Sequence, residues 1–371
     1  MPLPARQINF LRGWPAPALL PTALLAAACQ RVLADAEEYT KVQEYGSCHG
    51  LTRLRNGLAH WLGHHYHVNP DPERICVTGG ASQNLVHLIY TVPTCSNPSG
   101  VTMSLERREG LVKLARRYDA LIISDDVYDL LQWSTVTPVT TGDGRPEMRL
   151  PRLCDIDRAL GPCVDDPHGF GYAVSNGSFS KIAGPSLRTG WAEASPAFIT
   201  GIAHAAATRS GGAPSQLCAA MLADIVETGQ LQQFVDETVR PALQRRHRLM
   251  MDAIHTHLSP LGVKVRASSL KCHDISGGYF VWLHVSSEFS AKFIADMLRC
   301  EEDIIIGHGQ MFAVRGDDKV ANFTECIRLS FSWEAEEDIA DGIKRIGQML
   351  LRMNERSAYY LELASSLESR G

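Results

Sequence analysis

A lysine, two hydroxyls and a guanidinium crowd one short stretch of this chain. Ser178-Phe179-Ser180-Lys181 is followed by Gly184-Pro185-Ser186-Leu187-Arg188-Thr189-Gly190-Trp191. A lysine that condenses with an aldehyde needs a buried, polar setting that lowers its pKa. A phosphate beside it needs hydroxyl donors and a fixed guanidinium. Ser178, Ser180 and Arg188 can supply them. Leu121-Ile122-Ile123-Ser124-Asp125-Asp126-Val127-Tyr128 reads as a buried strand ending in a carboxylate, at the edge where α/β sheets bind ligands. Asp125 and Asp126 are adjacent and point opposite ways. In Cys326-Ile327-Arg328-Leu329-Ser330-Phe331-Ser332, Arg328 shares a strand face with Ser330, opposite Ile327, Leu329 and Phe331. It is an arginine turned from the apolar side, able to grip a carboxylate in bidentate fashion.

The elements around these residues alternate. Ile75 to Thr78, Leu88 to Val92, Leu121 to Ser124, Ala173 to Ser175 and Gly190 to Ala192 read as short apolar strands. Leu51, Leu54, Leu58 and Leu62 carry helical spacing, and Ser104 can cap a helix running to Tyr118. Strands alternating with helices predict an α/β fold with a mostly parallel sheet covered on both faces. Ser134 to Gly171 reads as a long surface loop with a short helix near Asp157. A helix from Leu231 to His257, strands at Gly278 to Leu283, Ile304 to Ile306 and Ile327 to Phe331, and an apolar helical stripe after Trp333 read as a smaller α+β unit. The expected organisation is an N-terminal arm and helix over residues 1–50, a larger α/β domain over 51–230 and the smaller domain over 231–371.

Of the 371 residues, 45% are hydrophobic and 21% charged, which is ordinary globular composition, enough for two domains. A net charge of −5 without a basic run argues against a nucleic-acid partner. No stretch has the ~20 apolar residues of a membrane helix. Ala16 to Cys29 mimics a signal peptide, but Pro15, Pro17 and Pro21 break it, and it reads as a proline-started amphipathic helix. Ten scattered cysteines without a Cys-x-x-Cys pair indicate a reducing, cytoplasmic setting. His64-His65-Tyr66-His67 reads as exposed histidines at a helix end, with no metal expected. Arg209-Ser210-Gly211-Gly212-Ala213-Pro214-Ser215 lacks the ending of a phosphate loop and reads as a turn.

Taken together, Ser178 to Trp191, Asn97-Pro98-Ser99-Gly100, the Asp125-x-x-Tyr128 series and the Arg328 strand resemble the class I/II aminotransferases of fold type I, closest to their 2-aminoadipate and kynurenine branch. The resemblance implies pyridoxal 5'-phosphate (PLP) as cofactor, with amino acid and 2-oxo acid substrates. It assigns Lys181 to hold the cofactor and then move a proton. It selects Asp125 for the ring nitrogen, with Tyr128 and Asn97 on the phenolic oxygen. Ser178, Ser180 and Arg188 would hold the phosphate. Ala81, Ser82 and Gln83 would add backbone donors if they open a helix after Gly79-Gly80. Arg328 would take the substrate carboxylate, and Gly13 loosely matches a substrate-contacting glycine. Tyr45 matches a tyrosine that reaches the neighbouring subunit's cofactor, which implies a homodimer with shared sites.

The match breaks at one place. Only 14 positions separate Gln83 from Asn97, whereas one βαβ unit takes roughly 30 residues. The family has a longer segment here, with two strands, their helices and an aromatic that stacks on the cofactor ring. The chain therefore carries an apparent internal deletion after Leu85. An aminotransferase that tolerates the shortening and a non-catalytic derivative of the scaffold both follow. A PLP-dependent lyase or decarboxylase would use the same cofactor residues.

Overall fold

The computed structural model describes residues 7–43, 47–68, 71–78, 89–134, 150–204, 215–266, 275–314 and 322–368. Tyr45, Gly79 to Gln83 and Arg209 to Pro214 lie outside them.

Short apolar segments build the larger sheet. β2 (Ile75–Thr78), β3 (Ile89–Thr91), β4 (Ile122–Asp125), β6 (Ala173–Ser178) and β7 (Gly190–Glu193) stand in the order β2-β7-β6-β4-β3. β3, β4 and β6 are parallel, with Tyr90 opposite Ile123 and Asp125 opposite Asn176. β7 runs antiparallel to both β6 and β2, so the sheet is mixed. β2, β6 and β7 are buried throughout and β4 up to Asp125, while β3 at the end of the sheet is only partly covered. Val77 and Trp191 join the main core with Leu54, Leu58 and Leu222. Ile122 and Ala173 pack on Val112, Ala115 and Leu153, and Cys76, Val174 and Ala192 pack on Ile199.

Gly177 shows how close this packing is. A Cβ there would sit 2.0 Å from Cε2 of Trp191, on the strand that leads into Lys181. Gly177→Ala is expected to cost about 1–3 kcal/mol through overpacking, read from the midpoint shift in chemical denaturation. An unshifted midpoint would mean that the indole moves aside freely.

Several elements differ from the sequence-based expectation. The helix after Leu51 runs Thr52–Tyr66. His65 is buried, its ring edge-on to Tyr66 at 4.7 Å, because it falls on the same helix face as Leu54, Leu58 and Leu62. The short helix expected near Asp157 is present, but it is not at the surface. Helix Leu153–Ala159 buries its first five residues. Arg152 is buried among Asp155, Glu193 and the Tyr66 ring, and those ion pairs make its burial tolerable. The helix expected from Leu231 to His257 is interrupted by a π-turn at Val235–Val239. A further helix, Ser357–Glu368, follows the apolar-striped helix Glu336–Glu355.

The remaining strands are β1 (Ile8–Asn9), β5 (Gln132–Ser134), β8 (Lys264–Val265), β9 (Ile275–Gly277), β10 (Phe280–His284), β11 (Ile304–Ile305), β12 (Gly307–His308) and β13 (Cys326–Ser330). A second, antiparallel sheet has the order β12-β13-β10-β8, with Arg328 opposite both Trp282 and Gly307. β5 pairs with β9. β1 pairs with β11, Ile8 opposite Ile304, which fastens the start of the chain beside the second sheet. Among the described residues no helix is long and apolar enough to cross a membrane.

Candidate active site

β6 ends at Ser178, and the chain tightens into a short 3-10 turn, Phe179–Lys181. The Ser178 hydroxyl accepts the Ser180 amide and donates to Ser180 Oγ at 3.0 Å. This turn sends the Lys181 side chain inward. Its Nζ donates to the Gly13 carbonyl at 2.9 Å and stands 5.5 and 5.8 Å from the rings of Tyr279 and Tyr128. Burial lowers the ammonium's pKa from 10.5 to about 8; the Asp125 charge partly opposes this, and Arg328 adds to it. That is the condition a nucleophilic lysine requires. Tyr279, which sequence reasoning missed, donates its hydroxyl to the Lys181 carbonyl at 2.8 Å.

Asp125 ends β4. Asn176, its register partner, donates to Oδ1 at 3.3 Å, and Tyr90 donates to Oδ2 at 2.5 Å. Burial raises the Asp125 pKa, while the Tyr90 bond and Lys181 hold it down. Asp126 turns the other way, as the strand alternation requires, and takes the hydroxyls of Ser124 and Ser175. Tyr128 is buried, edge-on to Tyr279 and Phe280 at 5.5 and 6.3 Å. Burial and the Asp125 charge push its phenol upward, so it stays protonated and can donate.

Arg328 leaves β13 of the second sheet. Its guanidinium lies 4.1 Å from the Phe280 ring centre and 4.4 Å from that of Phe312. Nη1 donates to Asn97 Oδ1 at 2.7 Å and Nη2 to the Leu11 carbonyl at 2.6 Å. Burial lowers its pKa to about 10. Its Nε is buried without a hydrogen-bond partner, and no carboxylate pairs with it among the described residues. Asn97 is delivered by a turn that closes at Gly100, where φ is +67° and a Cβ would meet the Phe280 carbonyl at 2.8 Å.

Lys181, Asp125, Tyr128, Asn97, Arg328 and the Gly13 carbonyl are therefore linked through direct contacts or mutual charge effects. Arg188 is set apart. It is exposed, its φ is +47°, and Nη1 donates to Pro185 O. Ser82, Gln83 and Tyr45 fall outside the described residues.

A lysine of depressed pKa thus faces a partly buried aspartate, with hydroxyls at its base and an arginine that has no carboxylate partner among the described residues beside it. The chain belongs to the aminotransferase class I and II family, whose model matches residues 16–93 and 91–346, and that family's cofactor is PLP. The two matched segments meet inside the shortened stretch between Gln83 and Asn97. An uncharacterized protein of Saccharomyces cerevisiae is 35% identical over 70% of this chain and 55% of its own length, so the match spans about half of that relative. Aromatic-amino-acid aminotransferase 1 of Thermococcus litoralis is 24% identical over 92% of this chain and 88% of its own. In fold, the α-aminoadipate aminotransferase of Thermus thermophilus superposes with a TM-score of 0.74 at 20% identity, covering 94% of this chain and 93% of that one.

Proposed function

We propose that this chain is a PLP-dependent aminotransferase, moving an amino group between an L-amino acid of 2-aminoadipate, aromatic or kynurenine type and a 2-oxo acid. One observation carries the reading. Arg328 is buried between two phenyl rings with an unsatisfied Nε and no counter-ion among the described residues, close enough to lower the pKa of Lys181. A substrate carboxylate answers that vacancy in charge. PLP supplies an electron sink when bound. Lys181 holds it and then, as a neutral amine, carries a proton to and from the substrate Cα. Asp125 takes the ring nitrogen and favours its protonated form. Tyr128 and Asn97 donate to the phenolic oxygen, and Asn97 ties that end to Arg328. The resemblance assigns the phosphate to Ser178, Ser180, Arg188, Ser82 and Gln83, of which Arg188 is exposed and donates to Pro185 O in this structure. Tyr45 serves the neighbouring subunit's site in a homodimer. Gly13 lines the substrate side, its carbonyl holding Lys181 until the cofactor arrives.

A second reading, a non-catalytic derivative of the scaffold, is favoured by the 14-position interval between Gln83 and Asn97 and by β3 standing at the end of the sheet among the described residues. The two are separated by comparing this chain with a version carrying a family-length insert after Leu85. PLP affinity, the absorbance change on adding amino acids, and turnover are measured side by side. The longer chain is expected to bind PLP more tightly, turn over faster and aggregate less. Equal behaviour would show that the segment is dispensable. An insert that restores no binding would sink the aminotransferase reading.

A further inference from the structure

Tyr90 stands on β3 opposite Ile123, and Asp125 lies two residues beyond Ile123. Both side chains therefore leave the sheet on the same face. The tyrosine is 54% exposed, so apolar burial does not account for its placement. Its hydroxyl donates to Asp125 Oδ2 at 2.5 Å while Asn176 occupies Oδ1 at 3.3 Å. The short bond is of the charge-assisted kind. Each carboxylate oxygen keeps a second lone pair, so a further donor can still be received.

We propose that Tyr90 is a positioning residue of the cofactor site: its hydroxyl fixes the Asp125 carboxylate in one orientation and in its charged form, leaving a lone pair for the ring nitrogen of PLP. The inference rests on the functional reading above. Asp125 is faced by Tyr90 from β3, by Lys181 and Asn176 from β6 and the turn after it, and by Asp129 on its own segment. Burial and Asp129 favour the neutral acid; Tyr90 leads the groups that oppose them. The phenol is itself held protonated by burial and by Asp125, so it remains a donor.

The test is Tyr90→Phe, which keeps the ring and removes the donor. In the protein free of PLP, carbon-13 NMR of labelled aspartate follows Asp125, assigned by its loss in Asp125→Asn. Its midpoint is expected to rise by about one unit or more, because a bond to the charged form is lost. With nitrogen-15-labelled PLP, the ring-nitrogen shift is expected to move toward the unprotonated value, and PLP affinity to fall about tenfold. Tyr90→Gln, which restores a donor, should recover part of each effect and guards against a folding defect in the first variant. An Asp125 midpoint unmoved by Tyr90→Phe overturns the proposal, whatever the cofactor does. A wild-type chain that takes up no PLP at Lys181 sinks the functional reading instead, and the NMR titration reports that case separately.

Discussion

Lys181→Ala is expected to leave a folded protein that no longer fixes PLP on borohydride reduction, with turnover reduced by at least about 10²–10⁴, the usual contribution of a positioned general acid and base. The buried amine also makes a pH prediction. Its pKa is about 8 when folded against 10.5 ordinarily. Between those values the unfolded chain holds the proton and the folded chain does not, so folding stability rises with pH across that window. Below about pH 8 the full cost of a charged, buried lysine is present. Chemical denaturation of the wild type from pH 7 to 10.5 should therefore show a rising contribution that Lys181→Ala lacks. PLP capture, which needs the neutral amine, should have a midpoint near pH 8. A variant that still fixes PLP at one defined site would show that another lysine is the anchor.

Arg328→Ala is expected to lower kcat/KM by about 2–5 kcal/mol, the cost of truncating one partner of a desolvated charge pair. That is a factor of about thirty or more. The loss should fall on amino acid binding, with PLP affinity changed much less. Arg328→Lys should recover only part, because an ammonium cannot present the planar fork. Equal losses in cofactor and amino acid affinity would instead assign Arg328 to holding Asn97 and the Leu11 carbonyl, its present partners.

The residues legible in the sequence were those whose side-chain type and local spacing announce a role. Lys181 stood among hydroxyls, Asp125 ended an apolar run, and Arg328 held the polar face of an alternating strand. The strands on either side were legible for the same reason, since their apolar runs are short and bounded. Tyr90 and Tyr279 were not legible as site residues. Tyr90 reaches Asp125 only through the pairing of β3 with β4, which the sequence does not state. Tyr279 acts on a backbone carbonyl 98 positions away. The carbonyls of Leu11 and Gly13 carry no side-chain signature at all. His65 was misread as exposed because a histidine cluster looks polar, although its position continues the buried face of Thr52–Tyr66. The short helix near Asp157 was legible; its burial was not, because that of Arg152 at its start depends on distant Glu193.

The carbonyls of Leu11 and Gly13 impose an order of assembly. They meet Lys181 and Arg328 across 168 and 317 positions of chain, and β1 pairs with a strand beyond residue 300. Contacts this distant in sequence are slow to form, because the intervening loop must close before they contribute. Made before its partner, β1 has no strand to pair with until β11 has been synthesised. Lys181 and Arg328 thus gain these backbone partners only through long-range closure, and β1 stays unpaired while the chain between it and β11 is made.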